Sequence, residues 1–118
     1  MLYDATGFKH VYLCTGYTDL RKGVQGLAAM IRADLGLDPT EEGSIFLFCG
    51  RRTDRIKALL YEPDGWLLCY KRLTAGSFQW PRSPQEVMDL TQEQYRMLMQ
   101  GFSLRKKIHI KDVRPALY

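Results

Sequence analysis

The chain has 118 residues, 46% of them hydrophobic and 25% charged, which are the size and composition of one globular domain. The longest apolar runs, such as residues 45–49, are far shorter than the ~20 residues that a membrane span needs, and no signal-peptide pattern follows Met1. The three cysteines form no C-x-x-C pair, which argues against a disulfide framework or a zinc site. We therefore expect a protein of the reducing cytoplasm without membrane contact.

The formal net charge is +4, and the positive charge lies in two blocks. Residues 51–82 carry seven Lys or Arg against three Asp or Glu, and residues 96–118 carry six against one. Residues 1–50 and 83–95 are net acidic. Two interpretations follow: the cations keep a small domain soluble, or they form a surface that binds a polyanion.

The N-terminal third predicts a strand and an amphipathic helix. Residues 10–15 alternate as a short strand does, and Gly16 and Tyr17 interrupt it. Thr18 is a suitable N-cap, with Asp19 in the first turn. One apolar helical stripe follows at Leu20, Val24, Leu27, Ala28, Ile31 and Leu35. The spacing predicts a helix over about residues 19–35, ended by Gly36.

The middle of the chain predicts an antiparallel meander of three consecutive hairpins. Its strands are residues 45–49, 55–61, 66–73 and 78–80. Glu62-Pro63-Asp64-Gly65 has the x-P-D-G pattern of a tight turn between two of them.

A second, short helix is predicted over about residues 92–100. Thr91 and Gln94 form a capping box, Leu90 and Tyr95 a hydrophobic staple, and Gly101 is placed to cap the end. Beyond it, residues 108–110 resemble an edge strand. The sequence thus predicts an α+β fold: a sheet of four to six antiparallel strands with one main helix packed on it. One domain is expected over residues 1–104, followed by a basic C-terminal tail over residues 105–118.

The sequence gives little support for catalytic or metal-binding chemistry. His10 and His109 are far apart, with no third ligand nearby, and no phosphate-binding glycine motif is present. Asp19, Asp54 and Asp89 are evenly spaced in the sequence, and carboxylate triads that hold two metal ions drive DNA strand transfer. Each has a simpler explanation: Asp19 lies at a predicted helix start, Asp54 in a turn, and Asp89 just before the second helix. We expect no catalytic residue, no metal and no cofactor.

The basic residues of the central hairpin are the candidate nucleic-acid-binding set. They are Arg51, Arg52, Arg55, Lys57, Lys71 and Arg72. Aromatic residues such as Tyr70 and Trp66 accompany them, and cations interleaved with aromatic planes on a sheet suit nucleic acid. Lys57 and Lys71 are expected to share a face across the hairpin, register permitting. The alternative is an ordinary solvated sheet face.

Several ordered blocks resemble one bacterial family. Residues 18–28, TDLRKGVQGLA, are similar to the signature TDMRKGIDGLA of the TnpB-type proteins encoded by the second open reading frame of the insertion sequence sixty-six transposons. Residues 51–57 resemble the family's RRGDRLK turn, with Thr53 in place of the usual glycine. Further similar blocks lie at residues 35–39, 64–66, 70–73, 76–81 and 90–91.

The resemblance implies a non-catalytic accessory protein of DNA transposition, encoded beside a separate transposase. The family has no assigned catalytic residue to transfer. The expected partners are transposon DNA, the transposase of the same element, or both. The alternative is a protein-only adaptor or regulatory module that does not touch DNA.

Overall fold

The computed structural model describes residues 7–101, which form one five-stranded sheet and two helices. The strands are β1 (His10–Cys14), β2 (Ser44–Cys49), β3 (Arg55–Glu62), β4 (Gly65–Arg72) and β5 (Val87–Asp89), and the helices are α1 (Val24–Ala33) and α2 (Gln92–Met99). The predicted α+β class and the strand number are confirmed. The predicted boundary after residue 104, the basic tail, His109 and the strand at 108–110 lie outside the described residues. Neither α1 nor α2 is long and apolar enough to cross a membrane.

The sheet is mixed, with the strand order β4-β3-β2-β1-β5. Strands β2, β3 and β4 form the predicted antiparallel hairpins, and Glu62 pairs with Gly65 across the Pro63-Asp64 turn. The expectation of an entirely antiparallel sheet is wrong, because β1 pairs with β2 in parallel. The chain between β1 and β2 includes α1, which carries the chain back to the end of the sheet at which β1 begins.

The predicted strand at residues 78–80 is also wrong. The segment belongs to neither a strand nor a helix, and the outermost strand beside β1 is β5. Phe78 and Trp80 are buried instead in the core on one face of the sheet, where the indole Nε1 of Trp80 donates to the Cys14 carbonyl at 3.0 Å. The alternating apolar pattern therefore marks a segment that packs against the sheet without joining its ladder.

Apolar side chains cover both faces of the sheet. On one face, Leu27 and Ile31 of α1 pack with Phe46 and Phe48 of β2. The opposite face is covered by the 73–86 segment and α2, and its fully buried side chains include those of Tyr95 and Leu98 of α2. Burial on both faces explains why β2 is apolar at nearly every position.

Helix α1 begins later than predicted. The Thr18 N–H donates to the Cys49 carbonyl at 2.9 Å, which fixes this residue beside the end of β2 and not at a helix start. Gly23 is the N-cap and supplies no side-chain hydrogen bond. Residues 18–23 therefore form a loop. Gly36, with a φ of +67°, follows the helix end closely.

Helix α2 has the predicted capping box. The Gln94 N–H donates to the Thr91 hydroxyl at 3.0 Å, and the Thr91 N–H donates to the Gln94 side-chain oxygen at 2.9 Å. Gly101 lies just beyond the helix with a φ of +87°, a conformation that favours glycine.

Candidate nucleic-acid interface

The parallel pairing of β1 with β2 gathers the basic segments at one end of the sheet. Because the two strands run in the same direction, the loops that follow them, residues 15–23 and 50–54, lie side by side. Strands β3 and β4 are antiparallel neighbours, so β3 begins and β4 ends at this same end. Residues from three separate parts of the sequence therefore meet there.

A groove of about 980 Å³ lies between these loops and the first half of β3. We call it the basic groove, because five of the described side chains lining it are cationic: Arg21, Arg51, Arg52, Arg55 and Lys57. Its lining also includes the rings of Tyr17 and Tyr70 and the carboxylate of Asp19. The groove is thus an open concave surface with cations and aromatic planes together.

The six predicted residues are only partly brought together. Arg51, Arg52, Arg55 and Lys57 line the basic groove, whereas Arg72 lines an adjoining cleft beside Arg52 and Arg55.

Lys71 departs from the predicted arrangement. In the register of the β3–β4 pair, Lys57 lies opposite Tyr70 and Lys71 lies opposite Ile56, a core residue of the other face. The expectation that Lys57 and Lys71 share a face is therefore wrong, because neighbouring residues of a strand point to opposite sides.

Two carboxylates pair with the cations of this region. Asp19 accepts from Arg21 Nε at 3.0 Å and Nη2 at 2.9 Å, and these hydrogen bonds hold the pKa of Asp19 far below its usual range. Asp54 accepts from Arg55 Nε at 2.8 Å, which lowers the pKa of Asp54, and it lies 3.8 Å from Arg52.

Both carboxylates are therefore ionised at neutral pH. The basic groove and the adjoining cleft together carry six cations, the five of the groove and Arg72, so with these two carboxylates their net charge is about +4.

Hydrogen bonds to backbone carbonyls hold the walls of the basic groove together. Arg82 donates to the carbonyls of Gly16 at 2.7 Å and Gly50 at 2.6 Å, and its guanidinium stacks over the Tyr17 ring at 4.3 Å. Lys57 Nζ donates to the Lys22 carbonyl at 3.0 Å. Arg82 thereby joins the loops after β1 and β2, and Lys57 joins β3 to the loop before α1.

Comparison with known families agrees with the sequence blocks that lie around this groove. A family model described as IS66 Orf2 like protein matches residues 9–109. The chain belongs to the IS66 Orf2-like family. This membership associates it with transposition as an accessory protein of an insertion sequence, and the family description indicates no catalytic activity.

Two relatives from Sinorhizobium fredii (strain NBRC 101917 / NGR234) carry the names uncharacterized protein y4hO and uncharacterized protein y4jC. The chain is 33% identical to the first over 95 residues, which cover 80% of this chain and 82% of the relative. It is 30% identical to the second over 91 residues, which cover 77% of each. No solved structure matches the chain.

The other chemistry-bearing residues of this family member do not converge. Asp89 lies on β5 and is bonded to His10 Nδ1 at 2.8 Å, while Asp19 and Asp54 each pair with arginine. Within residues 7–101, no group of three His, Cys, Asp or Glu side chains is placed to hold a metal ion.

Within residues 7–101 the cysteines form no disulfide bond. Cys14 and Cys49 are buried and Cys69 is partly buried, and burial raises the pKa of all three thiols.

The predicted set lacks Tyr17 and Arg21 of the basic groove and Arg82 beside it. The sequence predicts a strand break at Tyr17 and a helix at Arg21, since nothing local indicates that β1 and β2 are parallel neighbours. Arg82 follows Pro81, directly after a predicted strand. The family-like block at residues 18–28 is the sequence signal that includes Arg21.

Proposed function

We propose that this protein is a non-catalytic accessory protein of DNA transposition that binds DNA through the basic groove. It would act in the cytoplasm, beside the separate transposase of the same element. Family membership supports the transposition role. The groove supports direct contact with the nucleic acid.

The observation that carries the proposal is the convergence of five cations on one concave surface. Charges that serve only solubility are scattered among charges of both signs. Here Arg21 comes from the loop after β1, Arg51 and Arg52 come from the loop after β2, and Arg55 and Lys57 come from β3. Clustered arginine and lysine side chains are the groups that neutralise DNA phosphates.

The test is binding of the purified full chain to labelled transposon-end DNA and to random DNA across a range of salt concentrations, measured by fluorescence anisotropy. Each phosphate contact on a duplex contributes ~0.9 to the slope of log K against log salt. Three to five contacts in the basic groove predict a slope of about −3 to −4.5.

Replacing both Arg51 and Arg52 by Ala should weaken binding on every sequence and reduce the steepness of that slope by about 2. The matched control is Lys71→Ala, which also removes a positive charge from this hairpin but on the opposite face. Equal effects of the two variants, or unchanged affinity in the double variant, would contradict the proposal. Loss of transposase association with intact DNA binding would instead support the protein-only adaptor.

A further inference from the structure

Two tyrosine rings of the basic groove are exposed to solvent. Tyr17 is 58% exposed and Tyr70 is 53% exposed, and within residues 7–101 they are the exposed large hydrophobic side chains. Both line the same groove as the five cations. Elsewhere the chain buries aromatic rings of similar size, such as Phe46, Phe48 and Tyr95, so this exposure is confined to the place where phosphates would bind.

The rings are positioned by their neighbours. Tyr70 lies on β4 and is paired with Lys57 of β3, so the regular strand ladder fixes its place beside a cation. Tyr17 lies in the loop after β1, with the guanidinium of Arg82 4.3 Å and that of Arg51 5.1 Å from its ring centre. Each aromatic plane is therefore presented next to positive charge.

An exposed tyrosine ring beside cations is able to stack on a flat ligand. Tyr17 already has the guanidinium of Arg82 over its ring, which leaves Tyr70 as the ring that a ligand can reach. Base–aromatic stacking is the common means of holding unpaired nucleotides, and it accepts any base because every base has a π face. In a closed duplex these faces are covered by the neighbouring base pairs, so an enzyme or binding protein reaches them only where the bases are unstacked. Phosphate contacts alone would not account for the exposed ring of Tyr70.

We propose that the basic groove binds unpaired DNA, with a base stacked on Tyr70 and phosphates held by Arg51, Arg52 and Lys57. The inference rests on the proposed function and specifies its ligand class.

The experiment compares a labelled oligothymidine of about 12 nucleotides with a duplex of equal length, using the full chain and fluorescence anisotropy. The wild type should bind the single strand more tightly at equal salt. Tyr70→Ala should weaken single-strand binding about 5- to 150-fold, the equivalent of the ~1–3 kcal/mol that stacking contributes per base. Duplex binding should change less than about twofold, because stacking is not available there.

Tyr70→Phe is the matched control, because it keeps the ring and removes the hydroxyl. It should bind the single strand within about twofold of the wild type. The salt slope separates the two kinds of contact: Tyr70→Ala should leave it unchanged, whereas the Arg51 and Arg52 double variant should reduce its steepness by about 1.4, at ~0.7 per contact on a single strand.

The two proposals fail in different ways. If duplex and single strand bind equally and Tyr70→Ala changes neither, while the arginine variant weakens both, the stacking inference is overturned and the DNA-binding function stands. If no form of DNA binds the wild type, the function itself is overturned. Equal loss on both ligands in a Tyr70→Ala variant that melts like the wild type would also refute the inference.

Discussion

Replacement of Arg82 by Ala is expected to destabilise the fold substantially, although Arg82 is only partly buried. The guanidinium donates to the carbonyls of Gly16 and Gly50, both of which belong to buried residues. Hydrogen bonds to a charged group contribute about 1.5–3 kcal/mol each, and carbonyls left buried without a donor add to the cost. The side chain also covers the Tyr17 ring.

Two such hydrogen bonds give an upper limit of about 6 kcal/mol for the loss of unfolding free energy in Arg82→Ala. Water that enters through the open groove can bond the freed carbonyls and reduces this loss. We expect Arg82→Ala to lower the free energy of unfolding by about 2–4 kcal/mol. Arg82→Lys should recover less than half of this loss, because one ammonium cannot reproduce the fork that reaches two loops. Urea unfolding of the wild type and both variants measures these differences.

Arg51→Ala is the matched control, since Arg51 lies in the same loop region, contacts the same Tyr17 ring and is exposed. Its effect on the free energy of unfolding should stay below about 0.5 kcal/mol. If the effect of Arg82→Ala falls in this same small range, Arg82 does not hold together the loops that form the walls of the basic groove.

Two smaller perturbations test other parts of the structure. Thr91→Ala removes the capping box of α2 and should lower the free energy of unfolding by about 1 kcal/mol in urea denaturation, whereas Thr74→Ala in an exposed loop should have almost no effect. The hydrogen bond from Arg55 lowers the pKa of Asp54 in the folded state, so its stabilisation is complete above about pH 5 and is lost as the pH falls through the folded pKa. Asp54→Asn should therefore reduce stability at neutral pH and flatten its decline in acid, and a parallel decline in both proteins would contradict this assignment.

The elements whose signals are local were predictable from the sequence. The turn at Pro63-Asp64 and the capping box at Thr91 depend on residues within a few positions of one another, and both appear where expected. The parallel partner of β1 was not predictable, because no residue near β1 records which strand lies beside it. For the same reason β5 could not be predicted, because this strand of three residues pairs with β1 alone.

The same distinction between local and long-range signals applies to the candidate site. Arg51, Arg52 and Arg55 are close in sequence and remain close in the fold, so their clustering could be anticipated. Arg21 and Tyr17 join them only because β1 and β2 end side by side. The face on which Lys71 lies depends on the register of the β3–β4 pair, which places Tyr70 and not Lys71 opposite Lys57.

The position of β1 between β2 and β5 also bears on how the chain folds. The hairpins of β2, β3 and β4 close short loops and can form early, whereas β1 must wait for α1 to return the chain to β2. Strand β5 pairs with β1 across more than 70 residues of sequence. During synthesis β1 leaves the ribosome before the other four strands, and until its neighbours arrive it is an apolar strand with two unpaired edges. The strand whose edges stay open longest in the nascent chain is thus one that has a neighbour on each side in the native sheet.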